Sequence, residues 1–156
     1  MSASRLLSPL PDLIAQRGNA EEYPENTLPA LRSALDLGAR HVAFDVQLSA
    51  DRQPVLLNDA NLKRMTGLDR NALEMTGHQL AEVVVNEPDR FGQKYTDIGV
   101  PTLAQAAVML GTHPSVTAFV EIKRASLRVF GADVVVRKIC EVLKPIVRQC
   151  VLVSRD

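Results

Sequence analysis

The chain has 156 residues, enough for one ordinary domain, and at 46% hydrophobic and 23% charged it has a plain globular composition. Eighteen basic and eighteen acidic residues cancel and aromatics are only 4%, so there is no electrostatic case for nucleic acid or an anionic membrane surface as partner. No apolar stretch nears the ~20 residues that span a bilayer, and "MSASRLLSPLPDLIAQRG" holds no signal-peptide core, so the expected location is cytoplasmic.

Leu13-Ile14-Ala15, after Pro11, reads as a short strand that ends at Gln16. "PENTLPALRSALDLGA" reads as a helix. Asn26 or Thr27 can cap it, Pro29 is tolerated in its first turn, Leu28, Leu31 and Leu35 share a face, and Gly38 is a stop. "HVAFDVQLS" alternates: Val42, Phe44, Val46 and Leu48 on one face, Ala43, Asp45 and Gln47 on the other. "ADRQ" is a turn into a second short strand in "PVLLND".

Residues 60–100 are irregular, with five interspersed Gly and Pro and one short helix expected at 80–85. They read as an excursion from the main fold. "PTLAQAAVML" restarts a helix capped by Thr102. "TAFVEIK" is a strand with Phe119, Glu121 and Lys123 opposite Val120 and Ile122; a helix follows over 132–143, and "QCVLVS" is the last strand. Cys140 and Cys150 lack metal-type spacing and are expected to be buried, reduced thiols. His41, His78 and His113 are expected at solvent or edge positions.

Strands alternating with helices predict an α/β fold with parallel pairing. In such a sheet the site lies at the carboxyl ends of the strands. Those ends carry Gln16-Arg17, Asp45, Asn58-Asp59, Glu121 with Lys123, and Ser154-Arg155. Asp45 on the inner face of an apolar strand is costly unless paired, which favours a role in a site.

The stretches "QRGNAEEYPENT", "GARHVAFDVQLSADRQPVLLNDANLKR" and "FVEIK" resemble the glycerophosphodiester phosphodiesterases, in order and spacing, over roughly residues 12–125. The resemblance implies a TIM (β/α)8 barrel of the phospholipase C-like phosphodiesterase type. Residues 1–156 would be a single, incomplete barrel domain covering about the first five strands, with a small insertion after strand three at about 60–100. It implies hydrolysis of glycerophosphodiesters to glycerol 3-phosphate and an alcohol, in lipid and glycerol metabolism, with a divalent metal, Mg²⁺ or Ca²⁺.

Carried over position by position, the family's two catalytic histidines fall on Gln16 and Asn58, and the first metal glutamate falls on Ala43. The metal carboxylates Asp45 and Glu121 and the phosphate-binding Arg17 and Lys123 match, as does Asp59; Arg40 and Arg52 depart from the pattern. Imidazole suits proton transfer because its pKa lies near neutrality, whereas Gln and Asn amides exchange no proton there. The expectation is a catalytically impaired member, a pseudoenzyme, that still holds a glycerophosphodiester or phosphate, with weak or absent metal. A residually active metal-dependent phosphodiesterase and a non-catalytic structural or regulatory partner are the alternatives. A full barrel takes ~250 residues, so this chain is expected to be part of a longer protein or, if complete, to form a homo-oligomer.

Overall fold

The computed structural model describes residues 11–155. Most of the N-terminal stretch read above for a leader lies outside the described residues. The sheet has five strands: β1 (Ile14–Gln16), β2 (His41–Leu48), β3 (Pro54–Leu56), β4 (Thr117–Ile122) and β5 (Cys150–Ser154). β1, β2, β4 and β5 run parallel in that order. β3 follows the "ADRQ" turn read from the sequence. It is antiparallel to β2, with Val46 opposite Leu56 and Leu48 opposite Pro54. The connection from 49 to 53 is far shorter than the dozen or more residues a parallel crossover needs, so it closes as a hairpin.

Helices cover one face of the parallel strands. α1 (Leu28–Asp36) starts at Thr27, whose hydroxyl accepts the Ala30 N–H, and it buries Leu31 and Leu35 but leaves Leu28 only half-buried. Of the shorter helices, α2 (Lys63–Thr66), α3 (Gly77–Ala81) and α4 (Pro88–Phe91) lie between β3 and α5 (Leu103–Gly111). α3 starts earlier than the sequence predicts and ends at Ala81, because Thr76 and Gln79 form a capping box that fixes its first turn. It carries His78, which is exposed. Thr102 and Gln105 cap α5 in the same way.

α6 (Arg124–Phe130) is absent from the sequence reading, since it follows β4 with no side-chain cap to announce it. α7 (Ala132–Leu143) falls where expected and buries Val135, Ile139 and Leu143, spaced four apart. Each such burial contributes about 1.5–3 kcal/mol. These residues join Val42, Phe44, Val46, Leu48, Ala118, Val120 and Ile122 in the main core. A second core gathers Val55, Leu57, Leu62, Met65, Leu80, Val85 and Val100 from β3 and the irregular stretch. No helix among the described residues is long and apolar enough to cross a membrane.

The thiols depart from expectation: Cys140 is exposed and Cys150 half-buried. The buried positions of α7 leave Cys140 on its outer side, while burial pushes the Cys150 thiol pKa up. Because the thiolate is the nucleophile, iodoacetamide in mildly alkaline buffer is expected to modify Cys140 before Cys150, read by peptide mass spectrometry. A second expectation concerns Gly18, which has φ +80° and where a Cβ would fall 2.4 Å from the Ala30 carbonyl carbon. Gly18→Ala should lower stability by about 2–4 kcal/mol in urea denaturation, through backbone strain and overpacking.

Candidate functional site

β1 ends at Gln16, and the loop from 17 to 27 then turns back over the sheet. Arg17 has φ 60° and Asn26 φ 56°. The Arg17 N–H donates to the Ala43 carbonyl at 2.6 Å, and the Asn26 N–H to the Arg17 carbonyl at 3.1 Å. Two left-handed residues thus fold the loop back so that both side chains reach β2. Arg90 and Tyr95 hold the loop from the other side, donating to the Ala20 and Glu22 carbonyls.

Asp45 is the centre of what they reach. It is 0% exposed. Its own N–H donates to Asn26 Oδ1 at 3.0 Å, while Asn26 Nδ2 donates to Asp45 Oδ2 at 2.9 Å. Arg17 Nε lies 2.8 Å from the same oxygen; no hydrogen bond to it is satisfied, so the contact is an ion pair. Lys123 Nζ lies 3.3 Å from Asp45 Oδ1 and 2.8 Å from Glu121 Oε1. Register explains this grouping, since Asp45 is the direct partner of Glu121 across the β2–β4 ladder.

The pairs continue outward. Arg17 Nη1 donates to both Glu25 oxygens, at 3.1 and 3.2 Å. Arg64 Nη2 meets Glu25 at 2.6 Å, its Nε meets Asp59 at 2.6 Å, and Arg90 meets Glu87 at 3.0 Å. Burial opposes the charge on Arg17, but Asp45 and Glu25 outweigh it and hold the guanidinium above its ordinary pKa. Arg64 is shifted up as well, chiefly by its hydrogen bond to Glu25. At the far end Arg155 Nε stands 3.5 Å from Glu121 Oε1.

Gln16 is exposed, and its register partner is Ala43. Asn58 is half-buried and turned aside, its amide donating to Asp59 Oδ1 at 2.7 Å. Arg17 and Lys123 therefore both meet Asp45 and Lys123 also meets Glu121, Gln16 and Ala43 pair on the adjoining strands, and Asn58 faces Asp59. Sequence reading offered Asn26 only as a helix cap and Arg155 only as a strand-end residue, and gave no role to Arg64 or Glu87. Asn26 lies inside the quoted "PENT" stretch, but Arg64 and Glu87 join the site only through tertiary contacts and carry no local signal. Among the described residues, no three His, Cys, Asp or Glu side chains cluster as metal ligands.

The strands bring these charged groups together at their carboxyl ends, where α/β folds place their sites, and comparison with known proteins fixes the family. The Glycerophosphoryl diester phosphodiesterase family matches residues 17–147, and the chain belongs to it. Glycerophosphodiester phosphodiesterase 1 of Rattus norvegicus is 32% identical over 110 residues, 70% of this chain and 33% of the relative. The glycerophosphodiester phosphodiesterase of Caldanaerobacter subterraneus is 30% identical over 99 residues, 64% of this chain and 40% of the relative. Among solved structures, an Oleispira antarctica phosphodiesterase in complex with the product sn-glycerol-3-phosphate superposes with TM-score 0.78 at 28% identity, covering 94% of this chain and 58% of that one. The fold is thus part of the TIM barrel of this family, and the chain spans a third to two fifths of these two curated relatives.

The Asn26–Asp45 pair admits a clean measurement. Asn26→Gly keeps the left-handed backbone without strain, so its cost reports the amide alone. Leaving the buried Asp45 N–H and carboxylate short of partners is expected to cost about 2–3 kcal/mol in chemical denaturation.

Proposed function

We propose that this chain binds a phosphate ester of the glycerophosphodiester class and hydrolyses it slowly or not at all. The observation that carries the reading is chemical: the residues standing where the resemblance puts the two proton-transfer histidines are Gln16 and Asn58. General acid–base assistance is worth about 10²–10⁴-fold per group. An amide can orient a phosphate oxygen but cannot take the proton from a nucleophile or return one to a leaving alkoxide. In this reading Arg17 and Lys123 hold the phosphate and Gln16 donates to one of its oxygens. The chain is then one incomplete barrel domain with residues 60–100 as its insertion.

The residues present do not fit the divalent metal that the resemblance implies. Mg²⁺ needs carboxylate oxygens open to an octahedral shell, and Ca²⁺ needs about 6–8 oxygens. Asp45 gives both its oxygens to cations or an amide, and Lys123 already joins it to Glu121. Position 43 offers a methyl group. No step is assigned to a metal, and its affinity here is proposed to be weak or absent.

Two assays test the reading together. Calorimetric titration with sn-glycerol 3-phosphate should show binding, and glycerophosphocholine hydrolysis should be slow or undetectable with Mg²⁺ or Ca²⁺. Fast turnover would favour the residually active alternative, and no binding would favour a structural or regulatory partner. The triple variant Gln16→His, Asn58→His, Ala43→Glu should raise hydrolysis by about 10²-fold or more.

A further inference from the structure

Beside the site, at the carboxyl ends of β4 and β5, lies a cavity of about 250 Å³ lined by Glu121, Ile122, Lys123, Arg124 and Arg155. Three of the five lining residues are cations and one is a carboxylate. The other cations of the site are committed. Arg17 holds Glu25 and Asp45 with 27% of its side chain exposed, and Lys123 bridges Asp45 and Glu121 with 20% exposed. Arg155 is different. Its side chain is 80% exposed, and its contact to Glu121 is 3.5 Å, beyond the usual range for a charged hydrogen bond. Its backbone is tied down, since the Arg155 carbonyl accepts from Arg124 Nη2 at 3.3 Å.

A phosphate monoester needs positive charge that is not already neutralised, and a guanidinium offers it as a planar fork matched to two phosphate oxygens. Drawing Arg17 away from Asp45 would leave a carboxylate buried and short of a partner, which is strongly unfavourable. Drawing Arg155 away from Glu121 leaves that carboxylate still bonded to Lys123. We infer that Arg155 is the principal phosphate anchor of this site, supplying across the cavity the uncommitted charge that the paired Arg17 and Lys123 lack. This rests on the phosphate-ester reading above and names the residue that gives it affinity. The family resemblance assigns Arg155 no role.

The test is calorimetric titration of sn-glycerol 3-phosphate into the unmodified protein, Arg155→Gln, Arg155→Lys and Arg137→Gln, with glycerol as the uncharged control. Arg137 is exposed on α7, outside the site. Arg155→Gln is expected to weaken binding about tenfold or more, Arg155→Lys to recover part of it, and Arg137→Gln to bind as the unmodified protein does. Melting temperatures should agree across the set, because both arginines are exposed. If the unmodified protein binds and Arg155→Gln binds equally well, the anchor assignment fails while the phosphate-ester reading stands. Equal weakening by Arg137→Gln would also overturn it, by reducing the effect to overall charge. If the unmodified protein binds no glycerol 3-phosphate, the broader reading fails and takes this one with it.

Discussion

The constraint on which the rest turns is a carboxylate with no access to water. Asp45 sits in the middle of β2, on the face away from the main core, fully buried. An ionised group there is tolerated only if its charge and its lone pairs are met. Meeting them requires Asn26 in a left-handed conformation, Arg17 in another, and Lys123 at the end of the neighbouring strand. The geometry of the loop from 17 to 27 follows from that requirement. From Asp45 the ion pairs run in both directions. Toward β5 they pass through Lys123 and Glu121 to Arg155; toward the second core they pass through Arg17, Glu25 and Arg64 to Glu87 and Arg90, with Asp59 beside Arg64. Five cations and five carboxylates alternate along this line.

That balance bears on position 43, where the resemblance would put a glutamate and this chain has Ala43. A glutamate there would add a third carboxylate beside Asp45 and Glu121, with only Arg17 and Lys123 directly opposed to them. Such a set carries excess negative charge, which a divalent cation would offset. With Ala43, the inner charges cancel without an ion. The ion pairs present close the centre on themselves. This also explains why the least committed positive charge is found at the edge, on Arg155, rather than in the middle.

Much of the scaffold could be read from local sequence, and the reasons are physical. α1 and α7 carry apolar residues at helical spacing, α1 and α5 begin at a capping threonine, and β2 alternates cleanly between two faces. Each of those signals lies within one element. The carboxylates and cations of the site were legible for a different reason, because strand ends of a parallel sheet converge. What sequence did not disclose depends on contacts between distant segments. Asn26 meets Asp45 across 19 positions, and Arg64 meets Glu25 across 39. α6 was hidden because nothing caps it; its Ser126 is fixed instead by Leu48 and Gln47, some 78 positions earlier.

One attachment ties the two halves of the described chain into a single mechanical unit. Arg90 and Tyr95, inside the irregular stretch, grasp main-chain oxygens at Ala20 and Glu22, and Glu87 accepts the Glu25 N–H at 3.4 Å. The stretch that presents Arg17 is thus splinted by a region that contributes nothing to the chemistry itself. Length changes or cleavage between 86 and 97 would be transmitted to the guanidinium through those three clasps, so the irregular stretch is a brace whose tolerance to remodelling is set by the loop it supports.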